Sequence, residues 1–170
     1  MQKKIKIIAY QARQCDPKKC TALKLERHGL IRVVHQIRYL PNRAIRLNPF
    51  SKVAFSKSDK ERIEKFGLTA LDCSWEHVNK VIMKRVRGTS RCLPILIAGN
   101  PVNFGKLTKL STVEALTAAL YIIGYREEAN KLLSIFKWGQ TFININRERL
   151  EKYSNAQDSK EIIKIQESFF

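Results

Sequence analysis

Short apolar and β-branched runs recur along the first part of the chain: Lys4-Ile5-Lys6-Ile7-Ile8-Ala9, Ile31-Arg32-Val33-Val34, Leu68-Thr69-Ala70-Leu71 and Leu93-Pro94-Ile95-Leu96-Ile97-Ala98. Runs of this length and composition predict strands, several of them buried. Between them, Ser58-Asp59-Lys60-Glu61 has the spacing of a capping box and predicts a helix that stops at Gly67. Ser74 can cap a further helix carrying Val78, Ile82 and Trp75 on its apolar side. Strands alternating with helices predict a mainly parallel sheet. From Ser111 the period changes. Ser111 and Glu114 form a second capping box, and Val113, Leu116, Ala119 or Leu120, and Ile123 recur at helical spacing up to Gly124. Residues 125–136, 142–153 and 159–168 carry further helical stripes, exemplified by Phe142, Ile145, Leu150 and Tyr153. No repeat, low-complexity tract or long linker interrupts the chain. The expectation is therefore one body with a basic α/β lobe over residues 1–92 and a helical lobe over 93–170, which begins with the last strand and the loop after it.

Composition leaves this picture standing and adds a partner. A chain of 170 residues, 44% of them hydrophobic, can bury roughly 70% of its unfolded surface. No stretch has the length and apolarity of a membrane span, and Ile5 to Tyr10 is broken by Lys6 and too short for a signal peptide, so a soluble, cytoplasmic protein without a membrane partner is expected. The net charge is +17, which points to a polyanion such as nucleic acid. Its distribution is uneven. Residues 1–100 hold 22 basic against 7 acidic side chains, a net +15, whereas residues 101–170 hold 10 against 8, a net +2.

Several chemistries lack an anchor. Cys15, Cys20, Cys73 and Cys92 show no paired C-x-x-C spacing, and His28, His35 and His77 are scattered, so no metal is expected. Neither a G-x-S-x-G elbow nor a G-x-G-x-x-G turn is present. What remains is Asp72, at a strand-to-helix junction, the edge at which open parallel sheets bind ligands. In Leu71-Asp72-Cys73-Ser74-Trp75 the carboxylate and the indole can together hold a cation; equally, Asp72 can serve only the helix N-terminus and Trp75 only the core. Ala98-Gly99-Asn100-Pro101-Val102-Asn103-Phe104-Gly105 is either an ordinary βα loop or one that brings backbone close to a ligand. Lys80, Lys84 and Arg87 share a helical stripe with Arg85 and Arg91 nearby, and Arg32, Arg38, Arg43 and Arg46 are candidates to extend it. A solvated helix face fits such a stripe too, but the concentration of charge in this half favours a phosphate track.

Five stretches in order resemble the small-subunit ribosomal RNA aminocarboxypropyltransferases of ribosome biogenesis. They are Asp16-Pro17-Lys18-Lys19-Cys20-Thr21, Leu71-Asp72-Cys73-Ser74-Trp75, Arg91-Cys92-Leu93-Pro94 continuing to Asn100-Pro101-Val102-Asn103-Phe104-Gly105, Lys109-Leu110-Ser111 with Val113-Glu114-Ala115-Leu116, and Phe136-Lys137-Trp138-Gly139. The resemblance spans residues 16–153. It implies an α/β SPOUT-like sheet with a deep trefoil knot, followed by an all-helical C-terminal lobe. The implied reaction moves the 3-amino-3-carboxypropyl arm of S-adenosylmethionine onto the imide nitrogen of a hypermodified pseudouridine, leaving methylthioadenosine. Three carbons adjoin the sulfonium, so the product is decided by which one is aimed at the base.

The resemblance places donor contacts at Thr21, Leu71, Leu93, Thr108 and Thr112, several through backbone, and makes Trp75 a wall against the methyl group. It matches Asp72 to a carboxylate that takes up the imide proton or stabilises the sulfonium. RNA contacts are expected from Lys80, Lys84, Arg85, Arg87 and Arg91, the partner being small-subunit RNA or a pre-ribosomal particle and the enzyme a monomer. Phe104, Gly99 and Leu107-Thr108 depart from the family's usual residues. Two rival readings follow from the same features: an RNA methyltransferase on the same fold, and a non-catalytic RNA-binding assembly factor.

Overall fold

In β1 (Ile7–Gln11) successive side chains enter different cores: Ile7 and Ala9 join the large one, and Ile8 joins a small cluster with Val34, Leu40 and Val86. That is the period of a strand buried on both faces. The computed structural model describes residues 2–13, 16–72 and 86–170. Among these, five strands form one parallel sheet: β1, β2 (Arg32–Val34), β3 (Ile45–Leu47), β4 (Leu68–Asp72) and β5 (Thr89–Arg91), in the order β2-β1-β4-β3-β5. The expected parallel α/β sheet is present. β3 and β5 are additions to the sequence reading, each only three residues long.

Helix α1 (Thr21–Arg27) links β1 to β2, and α2 (Lys60–Phe66) links β3 to β4. The capping box before α2 lies two residues earlier than expected. Ser56 and Asp59 form it around a 3-10 turn, Lys57–Asp59, that runs into the helix. Asp59 is buried and also pairs with Arg91 at 3.0 Å, which fixes the box there. The expected stop holds: Gly67 has φ +98°, and a Cβ there would lie 2.8 Å from the Lys6 carbonyl oxygen. The helix expected after Ser74, with Trp75, Lys80, Lys84 and Arg85, lies outside the described residues.

Four further helices follow: α3 (Thr112–Ile122), α4 (Arg126–Ser134), α5 (Gly139–Asn155) and α6 (Ser159–Glu167). The Ser111–Glu114 box opens α3 as expected, and Gly124 follows its end in a left-handed conformation. α3 is buried on almost every side, against β4, α1, α4 and α5, so it is the central helix rather than an amphipathic one. One continuous core joins Ile45, Leu68 and Ala70 of the sheet to Leu116, Leu120, Phe142 and Tyr153 of the helices.

The run Leu93–Ala98 is extended, as its composition indicates, but it is not a strand of the sheet. One edge faces the returning chain: Leu96 O accepts from Thr108 N at 2.9 Å, Ala98 N donates to Lys106 O at 2.9 Å and Ala98 O accepts from Gly105 N at 2.8 Å. The other edge is paired by side chains from the helices. Ile95 N donates to Gln166 Oε1 at 2.9 Å, and Ile95 O accepts from the Tyr153 hydroxyl at 2.9 Å. Asn146 serves both polar groups of Ile97, accepting from its N at 2.8 Å and donating to its O at 2.7 Å, and Gly99 N donates to Glu114 Oε1 at 2.7 Å. Buried backbone groups must find partners, and here helix side chains supply them.

This arrangement draws α5 against Gly99, where a Cβ would lie 2.8 Å from Phe142 Cα and 2.9 Å from its N. Gly99 thus leaves room for the backbone of α5. Gly99→Ala is expected to destabilise the fold by about 1–3 kcal/mol, the usual cost of overpacking. Chemical denaturation reads this directly, and an unchanged midpoint would mean that α5 can retreat freely.

Candidate donor and active site

The ladder between β3 and β4 ends at Arg46 and Thr69, although β4 continues to Asp72. β3 instead stays with β5, pairing Leu47 with Arg91. The two strands therefore part at their C-terminal ends, and a cavity of about 230 Å³ opens in the gap. On one side stand Leu47, Asn48 and Pro49, on the other Ala70 and Leu71. Cys92, Leu93 and Pro94 line it next, then Thr108 and Leu110, and the start of α3 closes it through Ser111, Thr112 and Ala115.

Backbone groups are aimed into this gap. Gly67 O faces β3, where it accepts from Ile45 N at 3.1 Å, while Leu68 N and Asp72 O face β1, bonding Lys6 O at 2.9 Å and Ala12 N at 3.1 Å. Polar groups of consecutive strand residues alternate sides. The N–H and C=O of Leu71 therefore turn to the β3 side, beyond the end of that ladder. Across the cavity, Thr108 has φ +62°, a left-handed conformation uncommon for a β-branched residue. Such strain persists only where surroundings enforce it. Backbone donors and acceptors in a largely apolar cleft suit an adenosine-like molecule.

Four of the residues expected to hold the donor, Leu71, Leu93, Thr108 and Thr112, line this one cavity. Thr21 stands behind its wall, where the hydroxyl accepts from Val113 N at 3.3 Å at the start of α3. Asp72 follows Leu71 at the end of β4, and its Oδ2 accepts from the Cys20 thiol at 2.9 Å. Thus Asp16–Thr21 and Leu71–Asp72, far apart in sequence, meet at one strand edge. Trp75 lies outside the described residues.

Glu114 organises the opposite wall. It is fully buried, and its carboxylate accepts from Gly99 N, Asn100 Nδ2 and Ser111 N, each at 2.7 Å, and from Ser111 Oγ at 2.9 Å. One side chain thereby ties the loop after Ala98 to the N-terminus of α3. Asn100 in turn accepts from Asn103 N at 2.9 Å, which holds the turn open. Burial also pushes the Cys92 thiol above its ordinary value, so a thiol rather than a thiolate faces the cavity.

Of the expected RNA contacts, Arg87 is exposed. Arg91 is mostly buried, its Nε on Asp59 at 3.0 Å and its Nη1 on Ser90 O at 2.9 Å. Lys80, Lys84 and Arg85 lie outside the described residues. Arg46 is buried and donates to Val86 O, so it is withdrawn from the basic face. The sequence reading missed Leu47, Asn48 and Pro49. Their signal was Ile45-Arg46-Leu47 running into Asn48-Pro49, a short apolar run followed by a turn-forming pair.

Among the described residues no group of three His, Cys, Asp or Glu side chains could hold a metal ion. A family model described as "Possible Fer4-like domain in RNase L inhibitor" matches residues 5–37. That stretch has only two cysteines, Cys15 and Cys20, where a ferredoxin-type iron–sulfur cluster is held by four, and Cys20 is engaged with Asp72. The ligand set does not fit a cluster.

The model described as "Ribosome biogenesis protein, C-terminal" matches residues 45–170. The 16S rRNA aminocarboxypropyltransferase of Methanopyrus kandleri is 49% identical over 96% of this chain and 97% of its own length. That of Methanosphaera stadtmanae is 45% identical, covering 97% of each. The structure of the SAM-dependent rRNA:acp-transferase Tsr3 from Vulcanisaeta distributa superposes with a TM-score of 0.86 at 39% identity, over 98% of this chain and 96% of that one. With the strand-edge cavity and the five matching stretches already in place, these likenesses establish that the chain belongs to the 16S rRNA aminocarboxypropyltransferase family.

Proposed function

We propose that this protein transfers the 3-amino-3-carboxypropyl group of S-adenosylmethionine to a hypermodified pseudouridine in small-subunit ribosomal RNA, releasing methylthioadenosine. The observation that carries the reading is the cavity between the ends of β3 and β4, where Leu71, Leu93, Thr108 and Thr112 come together beside Asp72. Family membership over nearly the whole chain supports the same reaction. Bound there, S-adenosylmethionine supplies an electrophilic carbon on a sulfonium. Asp72 accepts the imide proton as the nitrogen–carbon bond forms and the carbon–sulfur bond breaks, or it stabilises the sulfonium. Trp75 shields the methyl group, which leaves the longer arm aimed at the base. The protonated Cys92 thiol is a poor nucleophile, which protects the site from alkylating itself.

The finer architecture in this reading is SPOUT-like. It includes a deep trefoil knot, with residues 1–92 forming the basic lobe and residues 93–170 the helical one, which begins with the extended run Leu93–Ala98 and the loop after it. Lys80, Lys84, Arg85 and Arg87 track RNA phosphates, Arg91 being engaged by Asp59, and the excess of basic residues before position 100 supports that assignment. No helix among the described residues is long and apolar enough to cross a membrane. A cytoplasmic monomer acting on RNA or a pre-ribosomal particle without a metal completes the proposal.

Incubation with S-adenosylmethionine and small-subunit RNA, followed by digestion to nucleosides and mass spectrometry, is expected to give the aminocarboxypropyl increment. Carboxyl-labelled donor should then label the RNA. A methyl increment instead would make the protein a methyltransferase on this fold. Absence of saturable donor binding would leave an RNA-binding assembly factor.

A further inference from the structure

We infer that Asn146 and Tyr153 of α5, with Gln166 beyond them on α6 and Glu114 on α3, are positioning residues that hold the donor-binding wall of the cavity. The inference rests on the reading of that cavity as the S-adenosylmethionine site.

Leu93 and Pro94 line the cavity, and the next residues of that wall are fixed from two sides. Along one edge the acceptor of Ile95 N, the donor to Ile95 O, both partners of Ile97 and the acceptor of Gly99 N are all side chains of the helical lobe. Along the other edge, Leu96 and Ala98 bond the chain that returns through Gly105, Lys106 and Thr108. Ile95–Gly99 is therefore a splint between the helices and the strained residue Thr108, itself a cavity residue. The position of Thr108 is set at second hand by side chains that do not line the cavity.

Asn146 is the centre of this arrangement. It is fully buried, and besides its two bonds to Ile97 its amide donates to Phe142 O at 2.9 Å. An amide side chain offers one acceptor and two donors in a fixed plane, the set needed to bond both polar groups of one residue as a neighbouring strand would. Tyr153 is buried, and burial pushes its hydroxyl up to about 12, so it remains a donor to Ile95 O at any working pH. Helices packed in a core are rigid, and displacement of reacting groups by about 1 Å is enough to cost a transferase heavily. The side-chain row serves as the ruler between the helical core and the donor.

The test is titration calorimetry of S-adenosylmethionine into the full-length protein and its Asn146→Ala, Tyr153→Phe, Gln166→Leu and Gln166→Glu variants. Folding is checked by circular dichroism, and RNA affinity is measured in parallel. Asn146→Ala is expected to raise the donor Kd roughly tenfold, equivalent to about 1.4 kcal/mol. Tyr153→Phe removes a single hydroxyl and should raise it about threefold; Gln166→Leu should do likewise, whereas Gln166→Glu keeps the acceptor for Ile95 N and should stay near wild type. KM for the donor should rise more than kcat falls, and RNA affinity should not move. Should Asn146→Ala fail to fold, the Tyr153 and Gln166 variants decide alone. Wild-type affinity in folded variants overturns the positioning role while leaving the site assignment intact. No donor binding by the wild type removes the site assignment, and this role with it.

Discussion

Replacing Glu114 with alanine is expected to cost about 3–5 kcal/mol of folding stability, comparable to breaking a buried ionic network from one side. The carboxylate is fully buried and accepts from four donors on three residues, Gly99, Asn100 and Ser111. Truncation strands those buried donors, and each unmet buried donor costs about 1–3 kcal/mol. The same change removes the capping box of α3, the helix that packs on β4 and fills the centre of the molecule. Guanidinium denaturation should show a large fall in midpoint with an unchanged slope. A loss below about 1 kcal/mol would mean that water or a rearranged loop replaces the carboxylate, contrary to its role as the tie between loop and helix.

Asp72→Asn is expected to reduce arm transfer by about 10²–10⁴-fold, the range for loss of a positioned proton acceptor. The substitution keeps the shape of the side chain and an oxygen for the Cys20 thiol, which lies 2.9 Å from Oδ2 in the native protein. Donor affinity, carried by the cavity walls, should be kept within a few-fold if Asp72 acts on the RNA imide. Single-turnover measurement at saturating S-adenosylmethionine isolates the chemical step. A fall in donor affinity with the saturated rate preserved would assign Asp72 to the sulfonium, and near-normal turnover would remove it from the chemistry.

The helical half was readable because its helices are long enough to show a period and two of them, α3 and α6, open on a capping side chain. Ser111 with Glu114 opens α3, Gly124 follows its end, and the later helices fall within a few residues of their expected spans. The sheet was readable only in part. β3 and β5 have three residues each, too few for any period to emerge, and they escaped notice although β3 supplies one lip of the cavity. Leu93–Ala98 was misread for a physical reason: its composition reflects a real extended, buried backbone, but the partners of that backbone are side chains far along the chain. The clue lay in α5. There the buried face runs Phe142, Ile143, Asn146, Leu150 and Tyr153, so one amide interrupts an apolar stripe, and Ile145, expected on that stripe, is only half-buried. A polar residue inside such a stripe signals a backbone group needing a partner. The proposed donor site became legible only through resemblance, since leucines such as the cavity residues Leu71 and Leu93 carry no side-chain signature of a ligand contact.

The row of side chains along Ile95–Gly99 also sets an order of events during synthesis. Gln166 meets Ile95 across 71 residues, and Asn146 meets Ile97 across 49. Contacts so distant in sequence form late, after the intervening chain has emerged and closed its loop. The core that backs the sheet draws on Phe142 and Tyr153 of α5, so neither that core nor the wall that carries Thr108 is complete until the last helices dock. On the reading of the cavity as the donor site, the capacity to hold S-adenosylmethionine therefore arrives with the last helix.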